Sequence, residues 1–136
     1  MKNILVIGDA DALIGLVNPI DIHHKKSNTI SKIVGIEILF PDTAIAEGIT
    51  TVQRKLSQPH LAKQMQDEVE NGTFSIVYVD SIVMHTASQL FNPHGSKQNT
   101  FFDAIVAATA KKLGADAIFS FDAWYKKLGF TLAGEL

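Results

Sequence analysis

The chain contains no cysteine. That excludes thiol catalysis, a cysteine-built zinc or iron–sulfur site and a disulfide scaffold, and it suits a reducing compartment. Arginine is almost absent too, Arg54 being the only one, and the formal net charge is −2. Such a balance argues against a simple polyanion binder, because affinity for nucleic acid comes largely from lysine and arginine neutralising phosphate. A chain of this charge acting on nucleic acid needs a bound cation to supply part of the positive field. Long apolar runs are missing as well. Residues 1–8 mimic the front of a secretory leader, but the run stops at Asp9 and Asp11. It is too short for a leader's apolar region and far too short to span a bilayer, so it is expected to be a buried strand of a non-membrane, cytoplasmic protein. No internal repeat, low-complexity tract or linker is visible, and there is no glycine-rich phosphate cradle. His60, His85 and His94 lack metal-ligand spacing. Ser120 has no histidine partner suggested by sequence, so a serine hydrolase has no support.

What is present is an ordinary globular composition, 46% hydrophobic and 19% charged, over 136 residues. That length gives room for one domain, residues 1–136, with a real core. Apolar β-type runs alternate with helical ones, which points to a layered α/β fold with a mostly parallel sheet. Strands are expected at 4–8, 36–40, 74–79 and 117–121, with a weak last strand at 130–132. The first helix is expected to begin near Ala12 and end before Pro19. Ser27, Asn28 and Thr29 offer caps for a short helix stopped by Gly35. Asp42 or Thr43 should cap a helix with the stripe Ile45, Ile49, Val52 and Leu56. Further helices are expected at 59–70, up to Leu90, and through 124–128. Residues 92–99 form the one conspicuous loop. After it, 100–113 is a well-marked helix, with Phe102, Ile105, Val106, Thr109 and Leu113 on one side, lysines in its last turn and Gly114 as its stop.

Strands of a parallel sheet end at one edge, where ligand sites gather. Asp9 and Asp11 follow the first strand, Asp122 follows the fourth, Glu47 lies in the helix after the second, and Asp103 opens the alanine-rich helix. Acids from separate stretches are thus expected at one mouth. Two carboxylates about 4 Å apart repel by roughly 4 kcal/mol at an effective dielectric near 20. They stay ionised together only with a cation, and carboxylate oxygens are the hard ligands Mg²⁺ and Mn²⁺ prefer. Each acid also has a structural alternative. Asp11 could cap the first helix, Asp122 the short helix at Trp124, and Asp103 could close a box with Thr100. Glu47 lies opposite the apolar stripe, where a solvated glutamate is ordinary. Asp9, which directly ends a buried strand, has the poorest structural excuse. His23, His24, Lys25 and Lys26 form a phosphate-contacting patch or a solvated loop, and Asp80 is expected to cap the helix after the third strand.

The run from Ile4 to Leu13 resembles the opening of a PIN domain, in which an apolar strand ends in the first acid. The run from Pro41 to Glu47 is similar to the segment bearing the family's glutamate, and that from Phe102 to Ala110 to its third-acid helix. Residues 114–124 resemble the last strand and acid, with Ser120 where threonine or serine is usual. The resemblance implies a three-layer α/β/α sandwich around a mostly parallel sheet. It also implies Mg²⁺- or Mn²⁺-dependent cleavage of RNA, with Asp9, Glu47, Asp103 and Asp122 holding metal and positioning the attacking water. Ser120 would assist as a secondary ligand or donor, and Asp11, an acid added to the pattern, as a fifth ligand. Small proteins of this kind resemble VapC-type toxins, which implies an antitoxin partner and a homodimer. Lys97, in the loop before Asp103, is expected to contact phosphate on the residue's own merits. Ala10 departs from the pattern, where threonine or serine is common.

Two other classes compete. Asp9 and Asp11 after a strand also fit a haloacid-dehalogenase-type phosphatase, with Asp9 as nucleophile and Asp11 as general acid. That reading wants threonine or valine where Leu13 stands, a late lysine and a second acid pair. A receiver domain needs a lysine after a further strand, and only a short tail follows Asp122. The non-enzymatic alternative is a catalytically silent PIN-like binding module.

Overall fold

Strand β1 (Ile4–Gly8) is apolar along its whole length, as a strand covered on both faces has to be. In the computed structural model, which describes residues 3–136, this strand is central. Met1 and Lys2, the front of the leader-like run, lie outside the described residues. Strand β1 pairs in parallel with β2 (Ile36–Pro41) on one side and β4 (Ala117–Phe119) on the other. β2 in turn pairs in parallel with β3 (Ile76–Val77), giving the order β3-β2-β1-β4. The register sets Val6 beside Ile38 and Ala117, and Ile7 beside Leu39 and Ile118.

Alternation along β1 therefore sends neighbouring side chains into two different cores. Ile7 and Ile118 pack under helix α6 (Phe101–Leu113) through Val106, Ala107 and Ala110, and under Tyr125 of the short helix α7 (Trp124–Lys127). On the other face, Val6, Ala117 and Phe119 pack against Ala12 of α1 (Ala10–Val17) and Ile30 of α2 (His24–Ser31). The result is the expected three-layer α/β/α arrangement. The alanines of α6 allow a second layer to close on it: Val83 and Ala87 of α5 (Ser81–Leu90) meet Ala104 and Ala108. Helix α3 (Asp42–Thr50), the π-helical segment after it (Thr51–Lys55) and α4 (Pro59–Glu70) complete the structure by packing Ile45, Val52 and Met65 against Leu13 and Phe40. Strand order reverses beside β1, and the crevice this leaves at the carboxyl ends of β1 and β4 is where such sheets bind ligands.

Several boundaries differ from expectation, each for a physical reason. Helix α1 begins at Ala10 because Asp9, and not Asp11, caps it. Helix α2 begins at His24, before the expected caps, because a turn built on Asp21 supplies its start, with Asp21 Oδ1 accepting from His23 N. Ser27 is then free to bury itself inside the helix against Gly15. The helix after β2 does not run to Leu56 as one stripe. It changes to a π-helical segment at Thr51–Lys55, whose wider turn rotates Leu56 outward while Val52 stays buried. β3 keeps only two paired residues of the expected six. β4 ends at Phe119, since Ser120 and Asp122 turn the chain, and the expected last strand is one parallel bridge between Ile118 and Leu132. Of the expected α6 stripe, Phe102 and Leu113 face outward. No helix among the described residues is long and apolar enough to cross a membrane.

Candidate active site

Asp9 leaves the end of β1 almost fully buried, at 4% exposure. Its Oδ1 accepts from the Ala12 backbone N–H at 2.9 Å, which starts α1. Its Oδ2 accepts from Ser120 Oγ at 2.5 Å and from the Tyr125 hydroxyl at 3.3 Å. Asp9 thus performs the capping task that was the structural alternative for Asp11, and it does so while facing the cleft. Asp103 is also doubly engaged. Oδ2 accepts from the Thr100 backbone N–H at 3.0 Å, tying down the first turn of α6, and Oδ1 accepts from the Tyr125 hydroxyl at 3.2 Å. Asp122 accepts from the Trp124 N–H at 2.9 Å and from Asn99 Nδ2 at 2.7 Å. Ser120 links β4 to this group, donating to Asp9 and accepting from the Asp122 N–H at 3.1 Å. The capping alternatives for Asp103 and Asp122 are therefore real, and they coexist with placement at the sheet edge.

The four acids and Asp11 all line one open cleft of about 590 Å³ above the carboxyl ends of β1 and β4. Glu47 is half-buried there, unlike a solvated surface glutamate, and its carboxylate has no hydrogen bond among the described residues. Burial holds the Asp9 carboxyl at about 7, with the charges of Asp11 and Asp103 adding to it and the bonds from Ser120 and Ala12 opposing it. Glu47 is likewise pushed up to about 7, by desolvation first and then by Asp103 and Asp11. Desolvation, followed by the charges of Asp21 and Asp122, raises Asp11. Asp103 is raised by desolvation, with Asp122 and Asp11 adding and the bonds from Thr100 and Tyr125 opposing. Burial also raises the Tyr125 hydroxyl, which therefore stays protonated and donates.

Among the described residues, no lysine or arginine is ion-paired to any of these acids. The ion pairs among the described residues are Lys63–Asp67, Lys112–Asp80 and Lys126–Glu135, all elsewhere. An all-oxygen, unneutralised donor set with raised affinity for protons is chemically suited to a hard divalent cation. The carboxylates do not yet converge as a finished cage. Among the described residues, no group of three histidine, aspartate or glutamate side chains is close enough to hold a metal ion as placed. Hydrogen bonds account for this spacing, since the Tyr125 hydroxyl stands between Asp9 and Asp103 and Asn99 holds Asp122.

Sequence reasoning named the acids, Ser120 and Lys97, which lines the same cleft. It missed Tyr125 and Asn99, whose roles depend on where two turns bring them, and it missed Lys55 and Thr51 on the cleft wall. His23 was grouped with a basic loop. Instead His24, Lys25 and Lys26 belong to α2, and His23 lines the cleft with its ring stacked on Phe121 at 3.9 Å. His60, His85 and His94 are exposed, and Asp80 caps α5 through the Val83 N–H, as expected.

Residues 6–130 match the PIN domain family. No curated protein sequence matches the chain. Among solved structures, VapC20 of Mycobacterium tuberculosis, a sarcin–ricin loop cleaving toxin, superposes with a TM-score of 0.79 at 17% identity, covering 93% of this chain and 96% of that one. FitAcB from Neisseria gonorrhoeae superposes with a TM-score of 0.66 at 16% identity, covering 93% and 95%. At such identities the likeness is one of fold. The family match, in contrast, runs from β1 past α7 and takes in the whole acidic cleft, and by it the chain belongs to the PIN domain family.

Proposed function

We propose that this protein is a metal-dependent endoribonuclease acting as the toxin of a toxin–antitoxin pair. The observation that carries this reading is the cleft lined by Asp9, Asp11, Glu47, Asp103 and Asp122, with no lysine or arginine among the described residues paired to them. Asp9, Glu47, Asp103 and Asp122 are the residues that would hold Mg²⁺ or Mn²⁺, with Asp11 as an auxiliary acid. A divalent ion there supplies an acidified water and offsets charge growing on phosphate. Ser120 fixes one oxygen of Asp9, and Tyr125 keeps Asp9 and Asp103 at a set spacing. Lys55 and Lys97 line the cleft and meet the phosphates of an RNA strand, a need created by the net charge of −2. That VapC20 is a sarcin–ricin loop cleaving toxin supports the substrate class and the toxin role; an antitoxin partner, a homodimer and a cytoplasmic setting belong to the same proposal. The dehalogenase-type alternative requires a lysine on the nucleophile, and Asp9 is held by Ala12, Ser120 and Tyr125 instead.

The substitution Asp9→Asn tests the reading. Asparagine is itself a good helix cap, so the fold should survive. Mn²⁺-dependent cleavage of RNA should fall at least a hundredfold. Cleavage at the wild-type rate would overturn the proposal, and phosphate release from small esters with RNA left intact would move the protein to the phosphatase class. Growth arrest on expression, relieved by a co-expressed partner, is the expected outcome for the toxin role.

A further inference from the structure

Phe102 breaks the apolar pattern of α6. The residues that follow it in that helix, Ala104 to Ala110, are buried, whereas Phe102 is 41% exposed. Among the described residues its ring has no aromatic partner, unlike that of Phe101, which packs edge-on against Phe91. Phe102 thus holds a large ring outward at the start of α6, next to Asp103. It forms one wall of an open, mainly apolar pocket of about 190 Å³, completed by Ala46, Glu47, Thr50 and Thr51. Glu47 and Thr51 line the acidic cleft as well, so the two cavities adjoin. The π-helical segment that contributes Thr51 also contributes Lys55 to the cleft wall.

We infer that this pocket is a base-binding subsite, in which one unpaired nucleobase of an RNA strand stacks on Phe102 while its phosphate lies in the acidic cleft. The inference rests on reading that cleft as a ribonuclease site. The shape favours a base over a protein partner. A docking helix is about 10 Å across and needs a groove several turns long. Five residues enclose this pocket, which suits one flat ring. A π face accepts any base, and only an unstacked base can reach it, so the subsite selects single-stranded or loop RNA over duplex. Hydroxyls of Thr50 and Thr51 offer donors and acceptors to a base edge.

Base stacking on an aromatic side chain is worth about 1–3 kcal/mol, or roughly 5- to 150-fold in binding. Phe102→Ala should therefore raise KM for a single-stranded RNA by at least about fivefold with little change in melting temperature, and Phe102→Trp should restore it. Removing the base from the nucleotide at the cleavage site should raise KM for the wild type by a similar factor and add nothing in Phe102→Ala. A second readout does not need cleavage. A single-stranded RNA carrying 2-aminopurine should lose fluorescence on binding to the wild type or to Phe102→Trp, and less so to Phe102→Ala. Failure of the wild type to cut RNA would count against the ribonuclease reading, and the quenching experiment would then decide the pocket alone. Equal KM and equal quenching for all three proteins would overturn the subsite. So would a Phe102→Ala protein that binds RNA normally but changes from dimer to monomer, which would make the pocket a contact between copies.

Discussion

Tyr125 shows how much of the site rests on a single atom. Its ring is fully buried in the core under α6, while its hydroxyl reaches both Asp9 and Asp103. Asp9 was recognisable in the sequence because an acid ending an apolar strand violates the local pattern. Tyr125 was not, because an aromatic in a short helix satisfies the apolar pattern, and nothing in its spacing reveals where the hydroxyl points. Glu47 was the weakest of the acids on pattern alone, because its helical angle also suits a solvated surface, and its half-burial became apparent once α3 was placed against α6. Tyr125→Phe keeps the ring and removes the bridge. Leaving a buried acceptor without its donor costs about 1–3 kcal/mol. The variant should fold, with RNA cleavage reduced by about 5- to 150-fold and a changed Mn²⁺ concentration for half-maximal rate. Unchanged rate and unchanged metal dependence would show that the hydroxyl does not set the spacing of the two acids. A purely structural loss would lower the melting temperature without moving the metal dependence.

At the scale of elements, strand and helix existence was readable from periodicity, and boundaries failed where a side chain took over from the pattern. The turn at Asp21 started α2 early, and the π-helical segment rotated Leu56 out of a stripe that a uniform helix would have continued. β3 is short because it pairs only through Phe40 and Pro41, at the end of β2. The join between β1 and α1 is tighter than the sequence alone conveys. A side chain at Gly8 would place Cβ 2.3 Å from Phe40 Cε1, and that ring is itself packed edge-on against Phe74. Gly8→Ala must therefore displace a buried aromatic or the strand. Overpacking of this kind costs about 1–3 kcal/mol. Because Asp9 is the next residue, the same displacement moves the first acid, so Gly8→Ala should lower both the denaturation midpoint and RNA cleavage. A variant as stable and as active as the wild type would mean that the Phe40 ring yields freely.

For the molecule as a whole, the acids set stability and ion binding against each other. Asp9 ordinarily titrates at 3.8 and Glu47 at 4.5, and both are held at about 7 in the fold. The unfolded chain gives up these protons near pH 4, whereas the folded chain keeps them until about pH 7. Across that window the folded state binds more protons, so raising the pH destabilises it, with no further loss above about pH 7. For buried Asp9 the effect is on the order of 4 kcal/mol; the more exposed Glu47 adds less, through solvent screening. Asp80 and Glu135 are lowered by their lysine partners and act in the opposite direction, but only as the pH falls into the ordinary carboxylate range and below. A divalent cation binds the ionised, folded cleft and so competes with protons. Thermal melts should therefore show the metal-free protein to be more stable near pH 5 than near pH 7.5, the range in which these acids lose their protons. Millimolar Mn²⁺ should raise the melting temperature clearly at the higher pH and hardly at the lower one. Asp9→Asn should flatten the pH dependence and abolish most of the Mn²⁺ effect. Equal Mn²⁺ stabilisation at both pH values, or stabilisation that survives Asp9→Asn, would mean that the ion binds somewhere other than this cleft.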